Sequence, residues 1–331
     1  MKLSDRTPSR RSQWGWKICW AAALAMGAGC LTRLAIHDRF LPLIWFNSFS
    51  AYIYLPAWPL LLIALRGGRA RLAATLMTIA ACHLYWTAPD FMPNLRRGTK
   101  PVADNAVHLR VFSANVFSRD SYPITIRRIR ETDPDLILLQ EYTHSWRDAL
   151  ERSNLFEIYA HRKTLTREGS YGIAVLSKWP LDEPRLVQVN VVSAISATVV
   201  LDDTRLRLWH VHGPSPRYFG VTPTIDAYWT EIEQHLLREH GPLIVAGDFN
   251  LTQHSRWYGR LTALGLHSAH REAGRGFAAT WPNGAWCCVP PIRIDHVLLS
   301  ADAHCETIWE DAGHLSDHKP LVADVVLNAG P

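Results

Sequence analysis

Three long apolar stretches, almost free of charge, crowd the first part of this 331-residue chain and limit what it can fold into. They run over residues 18–36, 40–65 and 72–88, with Arg33 near the end of the first. A bilayer core about 30 Å thick needs about 20 mostly apolar helical residues, and each stretch is near that length. Pro42, Pro56 and Pro59 predict that the second is kinked. Trp14, Trp16, Trp20, Trp45, Trp58 and Trp86 stand at or near the ends, where an amphipathic indole favours the membrane interface. A soluble helical bundle would need a polar face that these stretches lack. A cleaved secretory signal would account for the first stretch only. The expectation is therefore a membrane anchor over residues 1–92 with three transmembrane helices.

Charge divides the chain the same way. Residues 1–100 hold 13 Lys and Arg against three acids, Asp5, Asp38 and Asp90, whereas the rest holds 22 against 27. The basic balance of the whole chain thus belongs to its beginning, and the later domain lacks the footprint of a general nucleic-acid binder. Lys2, Arg6, Arg10, Arg11 and Lys17 precede the first stretch, and Arg66, Arg69 and Arg71 separate the second from the third. Positive flanks stay in the cytoplasm, so three spans would place the C-terminal domain outside it, on a multi-pass inner-membrane protein.

Residues 93–104 are polar and rich in turn formers, which suits a linker. Residues 105–331 alternate short β-branched runs with more polar helical stretches. Strands are expected over 108–114, 136–140, 172–176, 197–201, 206–211, 243–246, 295–300 and 321–326, and helices over 124–132, 146–153 and 222–240. That alternation predicts a layered α/β domain.

The polar residues of interest flank these strands, where α/β folds gather their sites. Asn115, Glu141, His210, His212, Asp248 and Asn250 follow apolar runs, while Asp295 and the segment Ser316-Asp317-His318-Lys319-Pro320 precede them. Carboxylates joined by amides and imidazoles suit Mg²⁺ or Mn²⁺ better than zinc, and the same donors can hold phosphate oxygens. Each residue alone has a plainer reading: Gly-Asp-Phe-Asn as a turn with an Asx cap, Glu141 as a solvated strand end, a lone histidine as structural. All of these would have to hold at once. Cys287, Cys288 and Cys305 suggest no zinc spacing. Arg127-Arg128-Ile129-Arg130 reads most simply as an exposed helix face, and Trp257, Trp281 and Trp286 as packing or a substrate wall.

The series Asn115, Gln140-Glu141, Tyr171-Gly172-Ile173-Ala174-Val175-Leu176-Ser177, His212, Gly247-Asp248-Phe249-Asn250, Ile294-Asp295-His296-Val297 and Ser316-Asp317-His318-Lys319-Pro320 resembles the endonuclease/exonuclease/phosphatase superfamily. The resemblance covers residues 105–328, and the preceding apolar stretches are similar to a membrane-anchored bacterial branch. It implies a two-sheet α/β sandwich with flanking helices and Mg²⁺-dependent hydrolysis of a phosphoester by activated water. Glu141 would be the main metal ligand, with Asn115 beside it and Asp317 as a further metal-site carboxylate. Asp248 would orient or deprotonate the water, and Asn250 would hold a phosphate oxygen. His318, oriented by Asp295, would contact the phosphate or act as base, and His212 would be the acid or a second phosphate contact. Tyr171 and His210 would border the substrate. The family often has Asn-Thr-His where this chain has His210-Val211-His212, and His212 keeps the spacing. The alternative is a non-catalytic phosphate-binding module on the same fold. The partners implied are a phosphoester and a lipid bilayer, with nucleic acid disfavoured by the domain's charge.

Overall fold

The computed structural model describes residues 10–92, 106–117, 122–218, 220–284, 288–311 and 316–328, so the expected linker falls outside it. Internal contacts divide the chain into two compact units, Met1–Ala88 and Pro89–Pro331.

The first unit is helical. It is built from α1 (Arg10–Ala35), α2 (Leu41–Ser48), α3 (Ser50–Ile53), α4 (Ala57–Arg66) and most of α5 (Ala70–Phe91). Small residues such as Ala23, Ala57 and Ala73 pack inward with Tyr54, Leu72 and Leu76. Large apolar side chains point outward instead: Ile18, Leu24, Leu31, Leu34, Leu62 and Leu84 are all exposed. Two buried polar side chains find partners within the unit. Arg33 donates to Ser50 Oγ at 2.9 Å and stacks over Trp86, and His83 accepts from the Trp58 indole at 2.9 Å.

The expected count of three spans is corrected here. Among the described residues, one helix is long and apolar enough to cross a membrane, over Gln13–Ala35. The second stretch is broken into Leu41–Ser48 and Ser50–Arg66, bent by 66° at the break, and counts as a span only if the pair is taken together. Prolines account for the fragmentation, with Pro42 in the first turn of α2 and Pro56 at the N-cap of α4. The third, α5, is 22 residues long, yet Thr75, Thr78, His83 and Thr87 dilute its apolar character below that of a spanning helix. One such helix would keep the later domain outside the cytoplasm and two would return it, so the expected multi-pass placement outside the cytoplasm is not supported.

The second unit is a sandwich of two mixed sheets flanked by helices. One sheet has the order β11-β12-β1-β2-β4-β3 and the other β5-β6-β7-β8-β10-β9. The first comprises β1 (Val107–Asn115), β2 (Leu136–Gln140), β3 (His161–Leu165), β4 (Ile173–Ser177), β11 (Ala303–Glu310) and β12 (Leu321–Leu327). The second comprises β5 (Leu181–Val189), β6 (Val192–Leu201), β7 (Thr204–His212), β8 (Leu243–Asp248), β9 (His267–Ser268) and β10 (Asp295–Leu299). Leu109, Val111, Leu136, Leu138, Leu206, Leu208, Ile244 and Val297 fill the space between the sheets. The alternate residues Phe112, Ile137, Leu139 and Leu176 pack outward beneath α6 (Tyr122–Thr132) and α7 (His144–Arg152). Across the other sheet lie α9 (Thr222–Leu236) and α10 (Arg256–Ala263), with α8 (Leu155–Ile158) and α11 (Ala269–Glu272) as short connectors. Strands buried on both faces read as unbroken apolar runs, which is why the interior strands were visible in the sequence.

Two pairs are parallel, β1 with β2 and β7 with β8. Their C-terminal ends carry the polar residues singled out above.

Candidate active site

Strand alternation builds the site. Along β1, residues 109, 111, 113 and 115 share one face, and the first two belong to the core between the sheets. The same parity carries Leu136 and Leu138 to Gln140, Leu206 and Leu208 to His210 and His212, and Ile244 and Ala246 to Asp248. Asp295 shares its face with Val297 and Leu299. Each inward row therefore starts or ends polar, and the polar ends meet in one slot between the sheets. Glu141 lies one residue past Gln140, where alternation would turn it outward. Its left-handed backbone, at φ 59°, interrupts that alternation, and its carboxylate comes within 3.4 Å of Asn115 Nδ2. Asn250, at φ 51°, is the second such residue at the site.

Asp248 is the hub. Its Oδ1 accepts from the Asn250 backbone N–H at 2.8 Å, and its Oδ2 accepts from Asn115 Nδ2 at 3.1 Å and Asn250 Nδ2 at 3.2 Å. His212 Nε2 and His318 Nε2 lie 3.6 and 3.7 Å from the same oxygen. Burial pushes the Asp248 carboxyl above the usual range, against the pull of His318. On the far side of His318, Nδ1 lies 2.9 Å from Asp295 Oδ2. Burial drives that imidazole towards neutrality, but Asp295 and Asp248 together prevail and lift it to about 10. Burial depresses the His212 imidazole instead, with Asp248 opposing. The Glu141 carboxyl is raised by burial and partly offset by Asn115.

Backbone supports fix these side chains. Thr280 Oγ1 accepts from the N–H of Asp295 at 3.2 Å, and Tyr228 Oη accepts from the N–H of His212 at 3.2 Å. Ser316 Oγ donates to Asn115 O at 2.7 Å and accepts from the His318 N–H at 3.1 Å, tying the last loop to β1. Thr280 and Tyr228 were not recognised in the sequence, because an isolated hydroxyl at such a spacing carries no signal. Gly247, at φ 139°, lets β8 run close to β7: a Cβ there would stand 2.0 Å from Val211 O.

The cleft above the hub has a volume of about 340 Å³ and is lined by Glu141, Tyr171, His212, Arg217, Tyr218, Asp248 and Asn250. Tyr171 thus borders it. Arg217 and Tyr218 belong to an irregular loop and were not anticipated. His210 does not reach the cleft. It is fully buried one step deeper, its Nε2 2.6 Å from Gln140 Nε2 of the opposite sheet. The expected place of His210 beside substrate is therefore corrected to the core, and His212 is the histidine that faces the cleft. Asp317 turns aside as well: its Oδ2 accepts from the Trp281 indole at 3.2 Å, leaving it an electrostatic neighbour of Glu141 and His318.

The residues fit a hard divalent cation. Asn115 Oδ1 is buried without a hydrogen-bond partner among the described residues, beside the Glu141 carboxylate. An amide oxygen and a carboxylate are the oxygen donors that Mg²⁺ or Mn²⁺ takes. Asp248, Asp295 and His318 also offer atoms within 4.8 Å of one another. That trio reads better as a histidine clasped by two carboxylates than as a metal cage.

A sequence profile of the endonuclease/exonuclease/phosphatase family matches residues 113–318. No curated protein sequence matches the chain. Among solved structures, D. rerio TDP2 complexed with a single-strand DNA product superposes with a TM-score of 0.56 at 15% identity, covering 66% of this chain and 98% of that one. The 3′-5′ exonuclease from Neisseria meningitidis gives 0.52 at 20% identity, covering 65% and 98%. An AP endonuclease from Archaeoglobus fulgidus gives 0.54 at 18% identity, again covering 65% and 98%. At these identities the likeness establishes the fold.

Proposed function

The chain belongs to the endonuclease/exonuclease/phosphatase family, and from that premise we propose that it is a membrane-anchored, metal-dependent phosphoester hydrolase. The observation that carries the reading is the buried hub at Asp248, where two amides, two histidines and a second carboxylate converge beneath an open cleft. A non-catalytic binding module would have no need to bury so many mutually dependent charges.

Within this reading Asp248 orients the attacking water and receives its proton. Asn115 and Asn250 hold the carboxylate in place from either side. His318, kept cationic between Asp295 and Asp248, presents positive charge to the phosphoryl oxygens. His212, at the end of β7, faces the departing oxygen. Asn250 shares its amide between Asp248 and Gly213 O, which fixes it at the cleft floor. A divalent cation held by Glu141 and Asn115 would neutralise charge that builds on the phosphoryl group in the transition state. Tyr171, Arg217 and Tyr218 at the cleft wall would then grip the rest of the substrate, either a phosphodiester or a phosphomonoester. The structural neighbours include a DNA complex, but residues 101–331 carry 27 acids against 22 bases, which disfavours a general nucleic-acid enzyme.

Membrane anchoring rests on α1 together with the outward-facing leucines and isoleucines of the first unit. The deciding experiment is a metal-dependent panel of lipid phosphodiesters, nucleotides, sugar phosphates and DNA, run on the full chain in detergent. Turnover of one class that disappears in Asp248→Asn supports the proposal. No turnover of any class with Mg²⁺ or Mn²⁺ contradicts it.

A further inference from the structure

A second cluster lies at the far end of the sandwich and takes no part in the hydrolase reading. β9 is the edge strand of one sheet and β11 the edge strand of the other, and α11 packs against both. From α11, Glu272 reaches into the gap. Its Oε2 lies 2.9 Å from His267 Nε2 on β9 and accepts from the Cys305 backbone N–H at 2.9 Å. Its Oε1 lies 3.2 Å from His304 Nδ1 on β11. The three side chains are 4–12% exposed, with His304 the most open. Leu299, which pairs with His267, stands four residues along β10 from Asp295, so this cluster is about 14 Å from the hydrolase hub.

We infer that His267, Glu272 and His304 form a second cation site, structural rather than catalytic, that takes a zinc-class transition metal and pins the open edges of the two sheets together. The donor chemistry differs from that of the first site. Two imidazoles and one carboxylate suit Zn²⁺, whereas Mg²⁺ prefers oxygen donors throughout. One ligating atom from each residue lies within 4.8 Å of the other two. The two imidazole nitrogens stand 2.9 and 3.2 Å from the two separate oxygens of the Glu272 carboxylate, which brackets the position a cation would take between them. Three protein ligands leave one position for water, on the partly open His304 side.

The surroundings suit such an ion. The Cys305 N–H fixes the orientation of the Glu272 carboxylate and would keep doing so with a metal bound. His304 Nε2 faces the Asn328 side-chain amide at 3.0 Å, and Asn328 Oδ1 is buried without a partner among the described residues. With a cation on Nδ1, the imidazole carries its proton on Nε2, and a half-turn of that amide brings Oδ1 round to accept it. A register shift in β11 between Cys305 and Thr307 lies directly beside His304. Such bulges re-aim side chains at functional positions.

The test is zinc retention by the purified full chain in detergent. Each protein is stripped with chelator, given excess Mg²⁺ to saturate oxygen-rich sites, mixed with Zn²⁺ and desalted, and zinc is measured by mass spectrometry. Wild type and the E141Q/D248N double variant are expected to keep about one zinc per chain and to melt several degrees higher with Zn²⁺. E272Q and H304N are expected to keep less than about a tenth as much and to show no zinc-dependent rise. H304N leaves the Glu272 contacts to His267 and Cys305 intact, so it decides the matter if E272Q does not fold. Wild type that retains no zinc overturns the inference. So does zinc that folded H304N keeps, or that only the E141Q/D248N variant loses.

Discussion

Asn115 on β1 and Asp248 on β8 belong to different sheets, yet the amide of one donates to the carboxylate of the other at 3.1 Å. The hub is therefore a seam between the sheets. Its geometry depends on how the two layers stack as much as on either strand. This also explains why substitutions within it should report on chemistry before they report on folding: the residues sit where the inward rows leave the apolar core.

Asp248→Asn tests the hub most directly. The change keeps volume and removes charge, so no cavity forms. Turnover should fall by about 10²–10⁴-fold, the usual contribution of a positioned general base. The melting temperature should stay near that of wild type, because neutralising Asp248 relieves the burial of its charge while weakening its hydrogen bonds and its attraction to His318. Parallel measurement of kcat and thermal melting checks this. A loss of activity that tracks a loss of stability contradicts it.

Asp295 is expected to act through His318, which it contacts at 2.9 Å. Asp295→Asn and His318→Gln should each lower kcat with little change in KM. The double variant should lose far less than the product of the two single losses, since both serve one transition state. Independent, multiplying losses would show that the two residues do separate work.

Chelation should abolish activity, and Mg²⁺ or Mn²⁺ should restore it. Glu141→Gln should raise the metal concentration needed for half-maximal rate by at least about tenfold, since a neutral amide binds a hard cation more weakly than a carboxylate. The same titration on Asp317→Asn should show a smaller shift, because that carboxylate is engaged by the Trp281 indole. Full activity after exhaustive dialysis against EDTA would remove the metal from the mechanism.

What could be read from the sequence follows a physical line. All eight interior strands were visible, at least in part, because they are apolar on both faces. The four strands that were not foreseen, β3, β5, β9 and β11, are the four sheet edges. Edge strands carry polar or alternating residues, as Leu181-Asp182-Glu183-Pro184-Arg185 does in β5, and β9 is only two residues long. The site behaves similarly. Asn115, His212, Asp248 and Asp295 stood out because they end or begin apolar runs, and the structure brings them together. The inward turn of Glu141 depends on a left-handed backbone that no residue pattern announces. His210 and His212 share one strand face, so alternation could not tell the buried histidine from the one at the rim. The first unit was over-read for a related reason: its prolines predict a kink within one span, yet they break the second stretch into helices bent by 66°, and Thr75, Thr78, His83 and Thr87 lower the apolar character of the third.

Gly247→Ala should be among the most damaging single changes outside the charged residues. The added methyl would stand 2.0 Å from Val211 O, in a backbone region at φ 139° that side chains rarely adopt. β8 would have to move away from β7 and carry Asp248 with it. Denaturant unfolding should report a loss of at least about 2 kcal/mol, and activity should fall more than stability alone explains. A stable, fully active variant would show that the close approach of the strands is incidental.

The contact between Gln140 and His210 supplies the last prediction. Gln140 Nε2 meets His210 Nε2 at 2.6 Å and Ser113 Oγ at 3.2 Å, joining the two sheets just beneath the hub. Burial holds the His210 imidazole well below its ordinary value, so it stays neutral and its Nε2 accepts from the amide. Replacing Gln140 leaves the His210 imidazole without this partner, and replacing His210 deletes the shortest contact of the Gln140 amide while Ser113 Oγ remains; a lost buried hydrogen bond costs about 1–3 kcal/mol. Gln140→Leu and His210→Leu should each therefore lower the unfolding free energy by that order. The double variant removes both polar groups together and should cost clearly less than the sum of the two. Activity should follow a different course, because Gln140 precedes Glu141 and His210 lies two residues before His212. Losing the bridge loosens the stacking that aligns these two residues across the seam, so kcat should remain depressed in the double variant even as stability recovers. Urea titration and steady-state kinetics on the four proteins separate the two effects. Strict additivity in unfolding free energy, or kcat that recovers in step with stability, would show that the bridge serves the core alone.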